Sequence, residues 1–192
     1  MKQRLKSIFF VCLVGGLAAC TAVGERTVVS VGYYSVAGET FEELDQDIQL
    51  HGPNVLGVGK ALASTDLRIL PRIQYSSSRN DCKISAARVN VTARVTLPRH
   101  RNERALKQEL ANAWNNLKEY AKVHEAVHVA IADRYALKME DALLALKPSN
   151  NCIAMREIAR VTFSDLFKQH HQEQLAFDES EKRRIRGLLA QN

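Results

Sequence analysis

Three segments in the first half of the chain have the hydrophobic pattern of strands. Residues 27–36 are rich in Val and Tyr, and residues 65–75 carry Leu67, Ile69 and Ile73 at alternating positions. Residues 84–97 alternate well, apart from a one-residue shift between Ala86 and Val89 that predicts a bulge. Strict alternation is typical of strands with one buried face. The pattern therefore predicts a small antiparallel sheet whose second face meets solvent.

Between the first two strands, Thr40-x-x-Glu43 has the form of a capping box and predicts a short amphipathic helix that ends near Leu50. The residues that follow, 54–60, contain Asn54, Gly57 and Gly59 and predict a loop. Pro71 predicts that the second strand lies at an edge of the sheet, since proline cannot donate a hydrogen bond to a neighbouring strand.

After Pro98 the hydrophobic spacing changes from two residues to three or four, which predicts a long helix to about residue 146. A turn at residues 148–150 and a return helix over about 152–177 follow. The expected fold is therefore α+β: a small antiparallel sheet with a short helix, then a long helix and an antiparallel return helix. The apolar stripe of the long helix contains Leu106, Leu110, Trp114, Leu117, Ala121, His124 and His128.

The candidate chemistry lies on that stripe, in the sequence His124-Glu125-Ala126-Val127-His128. Residues i and i+4 share one face of a helix, so the two imidazoles can bind one Zn²⁺. Glu125 lies beside them, where it can take a proton from water as a general base. The pattern is typical of zincin-like metal-dependent hydrolases, most often peptidases.

A catalytic zinc site usually has three protein ligands, so one more is needed. Asp133 lies on the opposite side of the long helix and is discarded. Counting back along an antiparallel return helix predicts that residues 170–174 lie level with the histidines. His170 is the leading candidate on this geometry and Glu173 the second, because both lie on the apolar face of the return helix.

The first residues resemble an export signal, with three basic residues followed by a short apolar segment. Leu17-Ala18-Ala19-Cys20 resembles the lipobox of bacterial lipoproteins. We therefore expect residues 1–19 to be a signal peptide and residues 20–29 a lipidated terminus and tether that starts at Cys20. Thr21 after the cysteine favours the outer membrane, with the protein facing the periplasm.

Export also bears on the remaining cysteines. With Cys12 in the signal and Cys20 lipidated, Cys82 and Cys152 remain as a pair in an oxidising compartment. A disulfide between them is predicted. It would close a loop of about 70 residues and contribute about 2–4 kcal/mol to stability.

Length and charge limit the remaining alternatives. The net charge of the chain is +6, but three basic residues belong to the signal, so the remaining 173 residues carry only +3. This mild charge does not indicate a nucleic-acid partner. The length suits one domain, predicted over residues 30–180, with a basic C-terminal tail over 181–192.

Taken together, these landmarks resemble a family of bacterial secreted proteins that are predicted zinc-dependent proteases, the domain-of-unknown-function family 922. The resemblance implies a secreted α+β domain, a zinc site on the first long helix and paired cysteines. It covers about residues 30–180. The matching residues are Tyr33-Tyr34-x-Val36-x-Gly38, Gly52-Pro53, Thr65, Cys82, Leu97-Pro98, Trp114, His124-Glu125-x-x-His128, Cys152 and Phe177-Asp178.

The chain departs from this family pattern after Phe177-Asp178. Family members commonly continue with a Thr-x-His-Gly segment, whereas this chain continues with Glu179-Ser180-Glu181-Lys182. If the family's third ligand lies in that segment, Asp178 is its surviving substitute. Helix geometry thus favours His170 as the third ligand, and the resemblance favours Asp178.

Two functions are consistent with these features. The first is a zinc metallopeptidase of the cell envelope that acts on a peptide or protein substrate, with Glu125 as general base. The alternative is a catalytically degenerate envelope lipoprotein that acts as a binding or scaffold module. The altered segment after Asp178 favours the alternative, and the complete His124-Glu125-x-x-His128 motif favours the enzyme.

Lipidation at Cys20 gives the first testable prediction. In cells fed a labelled fatty acid, the full-length protein should carry the label and sediment with membranes, because acyl chains anchor a protein to a bilayer. The Cys20→Ser variant should carry no label. Equal labelling of both proteins, or a cytosolic protein that Cys20→Ser leaves unaffected, would contradict the prediction.

Overall fold

The computed structural model describes residues 26–55 and 59–189, and it is an α+β fold with a mixed sheet and three α-helices. The signal segment and Cys20 lie outside the described residues. The elements are β1 (Thr27–Val36), α1 (Phe41–His51), β2 (Asn54–Val55), β3 (Gly59–Lys60), β4 (Ser64–Ser78), β5 (Asp81–His100), a 3-10 turn (Glu103–Ala105), α2 (Gln108–Leu144) and α3 (Cys152–Leu189).

The main sheet has the strand order β1-β5-β4. The β4–β5 pair is antiparallel, as predicted, but β1 runs parallel to β5, with Thr27 opposite Val91 and Val36 opposite His100. The prediction of a wholly antiparallel sheet is therefore wrong. Alternation reports which face of a strand is buried and carries no information about the direction of its neighbour. Parallel neighbours need a long crossover, which α1 and β4 supply here.

The β4–β5 hairpin is longer than its sequence pattern suggested, because the strands extend to Ser78 and from Asp81. Arg79 and Asn80 form the two-residue turn between them. Tyr75 pairs with Ile84 and Gln74 with Ala86, so Ser85 is left opposite no partner. This bulge shifts the buried positions of β5 from even to odd numbers.

The short helix α1 begins as the capping box predicts, with the Thr40 hydroxyl accepting a hydrogen bond from the backbone N–H of Glu43 at 3.2 Å. The predicted loop over 54–60 is wrong in one respect, since β2 and β3 pair there as a two-stranded antiparallel ribbon. β1 also begins at Thr27, so residues 27–29 belong to the sheet and not to a tether.

The main core lies between one face of the sheet and α2, and α3 packs against α2 and, near its start, against β5. The predicted disulfide between Cys82 and Cys152 is confirmed, and it joins the start of β5 to the start of α3. The buried members of this core are Ile69, Cys82, Ile84, Val89 and Val91 from the sheet, Ile131, Ala132, Tyr135, Ala136, Met139 and Leu143 from α2, and Met155 and Ala159 from α3.

The C-terminal helix continues well beyond its predicted end near residue 177. The structure describes α3 as one helix to Leu189, so the segment from residue 181 that was predicted as a basic tail begins within it. Among the residues that the structure describes, no helix is both long enough and apolar enough to span a bilayer.

A buried carboxylate fixes the start of the described chain to α2. Glu140 accepts hydrogen bonds from the Arg26 guanidinium at 2.8 and 3.2 Å and from the backbone N–H of Val89 at 2.7 Å. The guanidinium of Arg88 lies 3.8 Å from the same carboxylate. Burial alone would raise the pKa of Glu140, but these donors outweigh it and hold the pKa below its usual value.

Glu140→Gln should lower the free energy of unfolding by about 1–3 kcal/mol at neutral pH, since it weakens hydrogen bonds to a charged group and leaves Arg26 without its carboxylate. Because the folded pKa of Glu140 is depressed, its contribution is present above the unfolded pKa of about 4.3 and is lost as pH falls. Urea unfolding of both proteins from pH 7 to 3 should therefore show the difference shrinking. Glu157→Gln, which removes an exposed pair with Arg160, is the control and should leave stability unchanged. A difference that is independent of pH would contradict the prediction.

Candidate metal centre

The two histidines of α2 lie on one face of the helix, as their spacing requires. The rings of His124 and His128 are 4.9 Å apart, and their Nε2 atoms are 3.1 Å apart. Both side chains are half-buried between α2 and α3. Two imidazole nitrogens that approach each other this closely leave little room for protons on both, which suits a shared cation.

The third member of the centre comes from α3. Asp178 Oδ1 lies 3.2 Å from His124 Nε2 and 3.0 Å from His128 Nε2. The ligand atoms of His124, His128 and Asp178 all lie within 4.8 Å of one another. The antiparallel contact of α2 with α3 therefore brings together two imidazoles and one carboxylate, a set that could hold a metal ion.

The centre is covered on one side and open on another. Phe177 packs against both histidine rings, with centroid distances of 4.8 Å to His124 and 5.1 Å to His128. The side chain of Asp178 is 41% exposed, so the carboxylate side of the cluster remains accessible to solvent.

The charges of the centre favour an ionised carboxylate. Burial opposes ionisation of Asp178, but hydrogen bonds from His124 and His128 outweigh it and hold its pKa well below the usual range. Burial likewise lowers the pKa of His128, yet hydrogen bonds with Asp178 and Gln174 outweigh it and leave the pKa raised.

Glu125 reaches from α2 to the sheet. It is 4% exposed, and its Oε2 accepts a hydrogen bond from the Thr65 hydroxyl of β4 at 2.7 Å. Burial raises the pKa of Glu125, and the hydrogen bond from Thr65 opposes part of that rise. A carboxylate with a raised pKa is suited to accept and then release a proton near neutral pH.

The other residues that the sequence proposed as ligands lie elsewhere. His170 is buried, and its Nε2 contacts the side-chain amide of Gln174 at 2.9 Å rather than the centre. Glu173 forms an ion pair with Arg134, and Asp133 accepts a hydrogen bond from the Thr27 hydroxyl at 2.5 Å. Of the two candidates for the third ligand, the structure brings Asp178 to the histidines. His170 contacts Gln174 instead, and Gln174 in turn contacts His128.

Two residues at the centre were not singled out for a role by the sequence. Gln174 contacts His128 from α3, and Thr65, which entered only as a family landmark, contacts Glu125 from β4. One signal could have identified Gln174, because it precedes Asp178 by four residues and so repeats the spacing of the two histidines.

Comparison with known proteins gives one match. Residues 31–185 match the family model described as "Bacterial protein of unknown function (DUF922)". The match includes both cysteines of the disulfide, Thr65 and every residue of the metal centre. No curated protein and no solved structure matches the chain.

Proposed function

Because this chain belongs to the bacterial DUF922 family, whose function is unknown, we propose its activity from the site: it is a zinc-dependent metallopeptidase of the cell envelope. The observation that carries the proposal is the convergence of His124, His128 and Asp178 within 4.8 Å. The buried carboxylate of Glu125, adjacent to His124 on α2, supplies the second requirement of such an enzyme, a proton acceptor.

The donor set fits zinc better than the other common metals. Two imidazole nitrogens and one carboxylate oxygen form a mixed set of the kind found in catalytic zinc sites, which have three protein ligands and one open position. Calcium and magnesium prefer sites built from oxygen alone. The exposed side of Asp178 supports an open position, because a purely structural zinc site is closed by four protein ligands.

When bound, a zinc ion would supply a Lewis acid that polarises the scissile carbonyl and lowers the pKa of water. His124, His128 and Asp178 would hold the ion. Glu125 would accept a proton from the attacking water and pass it to the leaving nitrogen as the carbon–nitrogen bond breaks. Thr65 would keep the Glu125 carboxylate oriented and, by its hydrogen bond, keep it ionised before the reaction.

The proposal includes a zincin-like role for α2 and an attachment to the outer membrane through Cys20, facing the periplasm. Cys20 is seven positions before Thr27, where β1 begins. A chain of this length spans at most about 25 Å, so the domain would stay close to the bilayer. Such an arrangement favours a peptide or protein substrate that is itself in the envelope.

Metal content is the first test of the proposal. The purified protein, incubated with zinc and then freed of excess metal, should retain one zinc ion per chain. His128→Ala and Asp178→Ala should each lose most of it, because each removes one of the three ligand atoms. Asp165→Ala is the control on α3, since Asp165 is exposed and pairs with Lys168, and it should retain the metal.

Metal analysis by mass spectrometry distinguishes the two functions. Zinc retained in Asp178→Ala would contradict Asp178 as the third ligand. A wild-type protein that binds no zinc would contradict the enzyme and favour the catalytically degenerate lipoprotein, which acts as a binding or scaffold module.

The role of Glu125 has its own test. Glu125→Gln should retain zinc but hydrolyse labelled casein at least about 100-fold more slowly, since general acid–base catalysis contributes about 10²–10⁴-fold. Glu119→Gln, an exposed residue of α2 that pairs with Lys122, should retain full activity. Equal activity of Glu125→Gln and the wild type would contradict the mechanism. Zinc binding without hydrolysis of casein or of envelope proteins by the wild type would contradict the peptidase.

A further inference from the structure

Two buried polar side chains of α3 lie behind the metal centre, and the proposed mechanism does not use them. Gln174 is 8% exposed and His170 is 5% exposed. Burial of a polar side chain is unfavourable unless its groups find hydrogen-bond partners. The burial of a glutamine and a histidine one helical turn apart, both facing α2, therefore needs a physical explanation.

The hydrogen bonds of Gln174 determine which way its amide points. The amide nitrogen, Nε2, lies 3.0 Å from the backbone carbonyl oxygen of His128, and a carbonyl can only accept. The NH₂ group of Gln174 must therefore face that carbonyl. The same nitrogen lies 2.9 Å from His170 Nε2, so its second hydrogen can be donated there. The amide oxygen, Oε1, is left facing His128 Nδ1 at 2.6 Å.

This orientation fixes the tautomer of His128. An amide oxygen only accepts, so Nδ1 of His128 must carry the proton that it receives. When the ring is neutral, the lone pair then lies on Nε2, the atom that faces Asp178 at 3.0 Å and His124 at 3.1 Å. In the charged ring Asp178 holds a proton on Nε2, and loss of that proton leaves Nε2 free to act as a ligand while Nδ1–H stays bonded to Gln174.

His170 completes the arrangement by accepting the second amide hydrogen. Its ring is held between Tyr135 and Phe167, with centroid distances of 5.6 and 5.9 Å. Its Nδ1 is buried and has no hydrogen-bond partner in the described part of the chain. In the described part of the chain, His170 therefore forms its hydrogen bond with Gln174 through Nε2 alone.

We propose that Gln174 and His170 are positioning residues for the metal centre: Gln174 holds the ring of His128 with its proton on Nδ1, and His170 holds the Gln174 amide in the orientation that this requires. The inference rests on the proposed function for its effect on zinc, but the tautomer of His128 does not depend on metal. Partners of this kind typically change metal affinity by about 10- to 100-fold.

The first measurement is the tautomer of His128 in the metal-free protein, from long-range ¹H–¹⁵N correlation spectra at mildly alkaline pH. The wild type should show the Nδ1–H form. Gln174→Leu, which removes both the acceptor and the donors, should show the Nε2–H form or a mixture. Gln172→Leu is the matched control, because Gln172 is exposed on the same helix, and it should behave as the wild type. An Nε2–H tautomer in the wild type would overturn the inference whether or not zinc binds.

The second measurement is zinc affinity by competition with a chelating dye, with circular dichroism to confirm folding. Gln174→Leu should bind about 10- to 100-fold more weakly than the wild type. Gln174→Glu retains an acceptor for the Nδ1–H group and should recover most of the affinity. His170→Phe keeps an aromatic ring in place and should show a smaller loss than Gln174→Leu, but a larger one than Gln172→Leu.

These outcomes separate the inference from the proposed function. A wild type that binds no zinc overturns the zinc enzyme, while the tautomer measurement still decides the role of Gln174. A wild type that binds zinc, together with a folded Gln174→Leu variant of equal affinity, overturns the positioning role. His170→Phe with the affinity of Gln172→Leu overturns the part assigned to His170.

Discussion

The contact between α2 and α3 is the constraint on which the rest of the site depends. At one end it is apolar and covalently fixed, because Cys152 at the start of α3 is bonded to Cys82 of β5. At the other end it is polar, and Asp178 meets His124 and His128 there. A slip of one helical turn would move Asp178 by about 5.4 Å and separate the three ligand atoms. The disulfide and the packed core of the sheet therefore set the register that brings His124, His128 and Asp178 together.

Glu140, Glu125 and His128 of the long helix α2 are buried or half-buried, and each meets the unfavourable burial of charge with different partners. Glu140 is paired with Arg26 and bonded to the backbone of β5, so it stays ionised and holds the structure together. Burial raises the pKa of Glu125, and the hydrogen bond from the Thr65 hydroxyl offsets only part of that rise. His128 lies between Asp178 and Gln174, which contact its ring on both sides. The protonation behaviour of each group on this helix thus depends on the partners supplied by neighbouring elements.

The position of Asp178 shows where counting along a helix pair fails. An equal count on both helices predicts that residues 170–174 lie level with His128, and Gln174 does contact it. Side chains on a helix lean towards its N-terminus, however. In an antiparallel pair, the side chains of His124 and His128 therefore contact residues that lie later in the sequence of α3. The lean of the α3 side chains themselves adds a further shift in the same direction. The carboxylate that meets the imidazoles is therefore one turn beyond Gln174, and His170 lies behind it.

The sequence by itself determined what depends on neighbours along the chain: the strands, the capping box of α1, the period of α2 and the placement of two histidines and Glu125 on one helix. It also identified the cysteine pair, because the predicted export signal accounts for the other two cysteines. The tertiary structure alone decided the parallel direction of β1, the choice of Asp178 over His170, and the contacts of Thr65 and Gln174. These depend on how separate elements approach one another, and periodicity records only which face of each element is buried.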